Sequence, residues 1–69
     1  MSKHPFKKGD YVYALITLSG YFTKGKVYKV HYAFVDNKEY VITIMTDQGI
    51  LNVYLTFPFQ KANILRYFM

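Results

Sequence analysis

Hydrophobic and polar residues alternate with a period of two along most of this chain. From Lys26 to Phe34, Tyr28, Val30, Tyr32 and Phe34 fall on one side and Lys29 and His31 on the other. That is the pattern of a strand with one face on a core and one in water. An earlier run, Tyr11 to Leu18, sets Val12, Ala14, Ile16 and Leu18 on an inward face. Tyr11, Tyr13, Leu15 and Thr17 then line the outer surface or a groove. Tyr40 to Thr46 is apolar on both sides, with Tyr40, Ile42 and Ile44 against Val41, Thr43 and Met45. Such a strand is either interior to a sheet or covered from outside by a loop or tail. Ile50 to Leu55 makes a fourth strand. Thr56-Phe57-Pro58 interrupts it, because proline donates no ladder hydrogen bond, and Phe59 to Ala62 reads as a short closing strand.

Turn chemistry separates these runs. Lys8-Gly9-Asp10, Ser19-Gly20, Thr23-Lys24-Gly25, the polar stretch from Val35 to Glu39, and Asp47-Gln48-Gly49 all carry the Gly, Asp and Asn residues that turns demand. Tyr21 to Gly25 is long enough to fold over one end of the molecule, with Phe22 as its anchor. Short strands with turns at this spacing predict an all-β barrel or sandwich and not a βαβ unit. Residues 1–8 form a basic N-terminal arm that Pro5 keeps out of any helix. Residues 63–69 form an apolar C-terminal tail, with Leu65, Tyr67 and Phe68 as its candidate contact residues. Asn63 caps one helical turn there, or the tail adds a strand. This tail either completes the core, covers the outer face of strand three, or docks onto a partner.

Composition narrows the class. Sixty-nine residues make one domain with a small core, and the chain has no cysteine, so neither disulfides nor a cysteine zinc site can staple it. Eight tyrosines and six phenylalanines supply dense aromatic packing instead. No apolar run approaches the roughly 20 residues of a membrane span, and the first residues lack the apolar segment of a signal peptide. The expected location is therefore the cytoplasm, with no membrane partner. The net charge of +5 is unevenly placed: residues 1–30 carry six lysines against one aspartate, and residues 31–69 carry three cations against three anions. A basic half points to an acidic partner, nucleic acid or protein. It equally suits lysines that keep an aromatic-rich barrel soluble and guard its edges.

Lys8-Gly9-Asp10-x-Val12, the run Phe22-Thr23-Lys24-Gly25-Lys26-Val27-Tyr28-Lys29-Val30, Thr46-Asp47-x-Gly49 and Phe59 together resemble a family of small SH3-like barrel proteins encoded by bacteriophages. The resemblance covers residues 8 to about 61. It implies a five-stranded SH3-like β-barrel of viral origin, working in an infected bacterial host. Pro58 stands where such proteins tend to place an arginine, and the apolar tail lies outside the pattern.

Catalytic chemistry is poorly represented. Two separated histidines, four carboxylates mostly in turns, no cysteine and four single turn glycines give no nucleophile–base pair, metal-ligand spacing or phosphate loop. The sequence therefore predicts a non-catalytic binding module without cofactor or metal. Its expected contact residues are Lys7, Lys8, Tyr11, Tyr13, Lys24, Lys26 and Lys29. The expected partner is an acidic host protein, with the tyrosines as anchors. Direct nucleic-acid binding, with phosphates on lysines and bases stacked on tyrosines, is the alternative. A homodimer is a third possibility.

Overall fold

The computed structural model describes residues 4–62. Five strands, β1 (Tyr11–Ala14), β2 (Val27–Asp36), β3 (Glu39–Met45), β4 (Leu51–Leu55) and β5 (Phe59–Lys61), form one antiparallel sheet in the order β4-β3-β2-β1-β5. The all-β, five-stranded fold expected from the alternation is the one the chain adopts. The sheet curls far enough for its two edge strands to meet through side chains: the rings of Tyr54 on β4 and Phe59 on β5 are 6.2 Å apart. Among the described residues no helix is long and apolar enough to cross a membrane.

The concave face holds the core. Val12, Val30, Ile42 and Ile44 are fully buried there, with Ala14, Phe22, Tyr28 and Phe59 around them. Phe22 anchors its loop as expected, standing edge-on to Tyr54 at 5.2 Å and 4.9 Å from Phe59. Of the two readings its apolar faces allow, β3 takes the first: it is interior to the sheet, flanked by β2 and β4.

Three expectations need correction. First, β1 ends at Ala14 and does not run to Leu18. Gly25 N–H bonds to the Ala14 carbonyl, and Leu15 N–H bonds to the carbonyl of Pro58, just before β5 begins. Both neighbouring ladders stop here, so the chain swings out, leaving Ile16 (50%) and Leu18 (44%) exposed. Second, the alternation in β2 breaks at His31. Val30 pairs with Ile44, but Tyr32 pairs with Thr43, so His31 is one residue too many. A bulge of this kind reverses the faces beyond it. Tyr32 (54% exposed) and Phe34 therefore point outward, Ala33 packs on the core, and His31 is half-buried. Third, the N-terminal lead-in is not a free arm from His4 onward. The His4 imidazole lies 2.9 Å from the Val41 carbonyl through Nε2 and accepts the Phe6 N–H at Nδ1, its ring 4.9 Å from Tyr40. Phe6 joins the core. The hydrophobic pattern around Pro5 is too short for periodicity to show this.

The turns behave as their residues require. The β2–β3 hairpin turns through Asn37 (φ 50°) and Lys38 (φ 65°), both left-handed, the arrangement whose twist matches paired strands. Gly49 (φ 82°) takes the left-handed position between β3 and β4.

Candidate binding face and the loop clasp beside it

Asp47, in the β3–β4 turn, gathers the most characteristic stretch of the sequence around one carboxylate. Its Oδ1 accepts from Lys26 Nζ and from the Tyr28 hydroxyl, each at 2.8 Å, and its Oδ2 accepts from Thr23 Oγ1 at 2.8 Å. The Tyr28 oxygen in turn accepts the Thr23 N–H at 2.8 Å. A backbone bond from Asp47 N–H to the Tyr21 carbonyl, also 2.8 Å, completes the tie. The hydrogen bonds from Lys26, then Thr23 and Tyr28, pull the Asp47 carboxyl down from 3.8 to about 2. Its hydrogen bond and charge raise Lys26, and burial raises the Tyr28 hydroxyl. Thr-Lys-Gly-Lys-x-Tyr and Asp-x-Gly, 19 to 24 residues apart, are therefore two halves of one clasp. It fastens the β1–β2 loop to the β3–β4 turn. Lys26, expected as a contact residue, has its charge held by Asp47 and its ammonium 5.6 Å from the Tyr28 ring centroid.

The other expected contact residues divide between two ends of β1. Lys29 pairs directly with Tyr11, which places both on the outer face, and Tyr13 lies further along that face beside Gln60 of β5. Opposed residues in such a pair have Cβ atoms about 5 Å apart. Lys8 sits with its ammonium 5.1 Å from the centroid of the outward-turned Tyr32 ring. Lys7 is next to it in a turn closed by Asp10, whose carboxylate accepts the Lys7 N–H and lies 3.7 Å from Lys61 Nζ. Lys8, Tyr11, Lys29 and Tyr32 thus form one basic, tyrosine-rich area, with Lys7 beside Lys8 in the adjoining turn and Tyr13 further along the same face. Lys24 belongs elsewhere. It bridges to Ala14, three strand residues (about 10 Å) from Tyr11, and its N–H bonds to Thr17 Oγ1. Of the expected set, Lys24 and Lys26 are loop residues at one end, Lys7, Lys8, Tyr11 and Lys29 lie at the other, and Tyr13, opposite Val27, stands between them. Tyr32, a candidate for base stacking that the alternation nevertheless sets on the core side, is turned outward by the inserted His31, and no local residue signals that insertion. Leu65, Tyr67 and Phe68 lie outside the described residues.

Two apolar features adjoin this area. On the outer face of β2, β3 and β4, register aligns Phe34 with Val41 and Leu55, then Tyr32 with Thr43 and Val53, and then Met45 with Leu51. Val41 and Thr43, in the middle, are buried although they point away from the core; the surrounding side chains are exposed. Round the edge of β4 lies a groove of about 330 Å³ lined by Ile16, Leu18, Phe22, Val53, Phe57 and Pro58, among others. Its lining has no carboxylate, imidazole or ammonium group. Among the described residues no three His, Cys, Asp or Glu side chains converge as a metal site. No protein-family model, curated protein or solved structure matches the chain.

Proposed function

We propose that this protein is a non-catalytic binding module whose outer β1–β2 face engages an acidic protein surface. One observation carries the reading: Lys7, Lys8 and Lys29 stand together with Tyr11, Tyr13 and Tyr32 on that face, and none of these three ammonium groups is held by a carboxylate among the described residues. Uncommitted cations steer an acidic partner, and tyrosines anchor it once docked. The resemblance noted above puts that partner in a bacterial host, and the acidic surface it must present points to the machinery that handles nucleic acid.

A protein fits the face better than nucleic acid does. Sequence-specific reading of base edges relies on bidentate arginine or amide side chains, and this patch has no arginine. Just beyond Tyr32 the same face turns aliphatic, which offers nothing to phosphates. Capture from a nuclease-treated bacterial lysate tests the reading. A stoichiometric protein that persists after nuclease supports it. Loss of all captured material after nuclease, together with tight binding to single-stranded oligonucleotides of roughly 20 nucleotides that falls steeply with salt, assigns the face to nucleic acid instead.

A further inference from the structure

From the outer face of β2, β3 and β4 we infer that this chain pairs with a second copy of itself, sheet against sheet. Tyr32 and Phe34 on β2, Met45 on β3, and Leu51, Val53 and Leu55 on β4 share that face by register. All six are roughly half-exposed, with Val53 at 51%. At the surface such side chains carry, they leave on the order of 500 Å² of contiguous apolar area, the upper range for a monomer. Two such faces bury about 1,000 Å², the size at which a specific interface begins.

Charge says which occupant fits. The six positions carry no ionisable acid or base other than the Tyr32 phenol, and Lys8, over the Tyr32 ring at one end, is the ammonium group placed against them. Among the described residues an acidic partner therefore finds no cation along Phe34, Met45 and β4 to pair with. Two chains of charge +5 can meet on this face with Lys8, over the Tyr32 ring, as the lysine brought to the contact. The rim then fixes the orientation. On the outer positions of β2, Lys29 stands at one end and Asp36 at the other, with Glu39 paired opposite Asp36. Neither carboxylate is in an ion pair among the described residues, and two carboxylates outweigh the single Lys38 in the turn.

A two-fold axis lying between the faces and running across the strands sets β2 antiparallel over β2 of the second copy. Lys29 of each copy then faces Asp36 and Glu39 of the other. An axis running along the strands lays β2 over β4 and leaves those charges unmatched. Face-to-face sheets at the usual shallow crossing angle accommodate the first arrangement. Lys7, Tyr11 and Tyr13 remain outside the contact while Lys29 and Tyr32 are shared with the acidic-partner face, so the two partners compete for part of one surface. Sedimentation tests one and lysate capture the other, and either can fail alone.

Sedimentation of the full chain from about 5 to about 500 µM is the test. The expected mass rises towards twice the chain mass over that range. Val53→Asp should keep the protein monomeric, an affinity loss of at least about tenfold. Lys29→Glu and Asp36→Lys act at exposed rim positions, so they decide the matter if Val53→Asp fails to fold. Each should weaken association at least about threefold, and the two together should restore it. A wild-type chain that stays monomeric throughout overturns the inference, as does a dimer indifferent to all these changes. A monomer that dimerises only when Leu65→Asp and Phe68→Asp are introduced overturns it too, by assigning the face to the chain's own tail.

Discussion

Replacing Tyr28 by phenylalanine removes one oxygen and leaves the buried ring in place, which isolates what the clasp contributes. Two hydrogen bonds go with that oxygen. The Thr23 N–H loses its acceptor at 2.8 Å, and the Asp47 carboxylate loses a donor at 2.8 Å. An ordinary hydrogen bond contributes about 0.5–1.5 kcal/mol net, and one to a charged group somewhat more. The carboxylate is partly open to water, so the low end applies to that bond and the total is about 2 kcal/mol. For a domain of this size 1 kcal/mol moves the melting temperature by roughly 4–8 °C, so Tyr28→Phe should lower it by about 8–16 °C. Urea unfolding followed by far-UV circular dichroism should show the same loss at the midpoint with an unchanged slope. Combined with Asp47→Ala the effects should fall short of additive, since both substitutions break the same network. A change below about 0.5 kcal/mol, the range of ordinary surface substitutions, or strict additivity, would refute the clasp.

The clasp also predicts how stability depends on pH. Asp47 is lowered from 3.8 to about 2 in the folded chain, so its contribution is complete above about pH 4 and disappears as pH falls towards 2. Urea midpoints measured across that window should fall, and Asp47→Asn should flatten that part of the curve. Tyr28 and Lys26 are raised, so what they add is present below pH 10 and lost as pH climbs past it. Lys38 takes a left-handed conformation at φ 65° that costs a residue with a Cβ about 1 kcal/mol. Lys38→Gly should therefore stabilise the chain by roughly 0.5–1 kcal/mol in the same urea assay, and any destabilisation counts against that turn geometry. Phe6→Ala should destabilise by about 3 kcal/mol, because the ring lies in the core. A free N-terminal arm would give nearly no change.

Much of this fold is legible because β-strands announce themselves by alternation and turns by glycine, and this chain has both. Ile42 and Ile44 alternate with Val41 and Thr43, two apolar faces that an interior or covered strand requires, and the residues about Gly25 and Gly49 mark their turns plainly. What alternation cannot report is an interruption of itself. The inserted His31 leaves the apolar count unchanged and merely reverses Tyr32 and Phe34, so those residues looked like core. Likewise Ile16 and Leu18 continue the pattern of β1 past the point where its neighbours stop. The candidate site suffers from the same limit. Lys24, Lys26 and Lys29 lie close in sequence, but among the described residues Lys26 alone of the three has its ammonium group held, by Asp47, a residue some twenty positions away. That link exists only once the β3–β4 turn closes against the loop.

The division among the lysines is the claim on which the functional account turns, and a comparison of two charge-altered chains measures it most directly. One carries Lys7→Glu with Tyr11→Ala, on the free basic face; the other carries Lys24→Glu, at the loop end. Both are assayed for capture of protein from nuclease-treated bacterial lysate, with circular dichroism melting to show that each is folded. The account predicts that the first chain loses capture and the second keeps it. Capture that survives the first change and disappears with the second would contradict it.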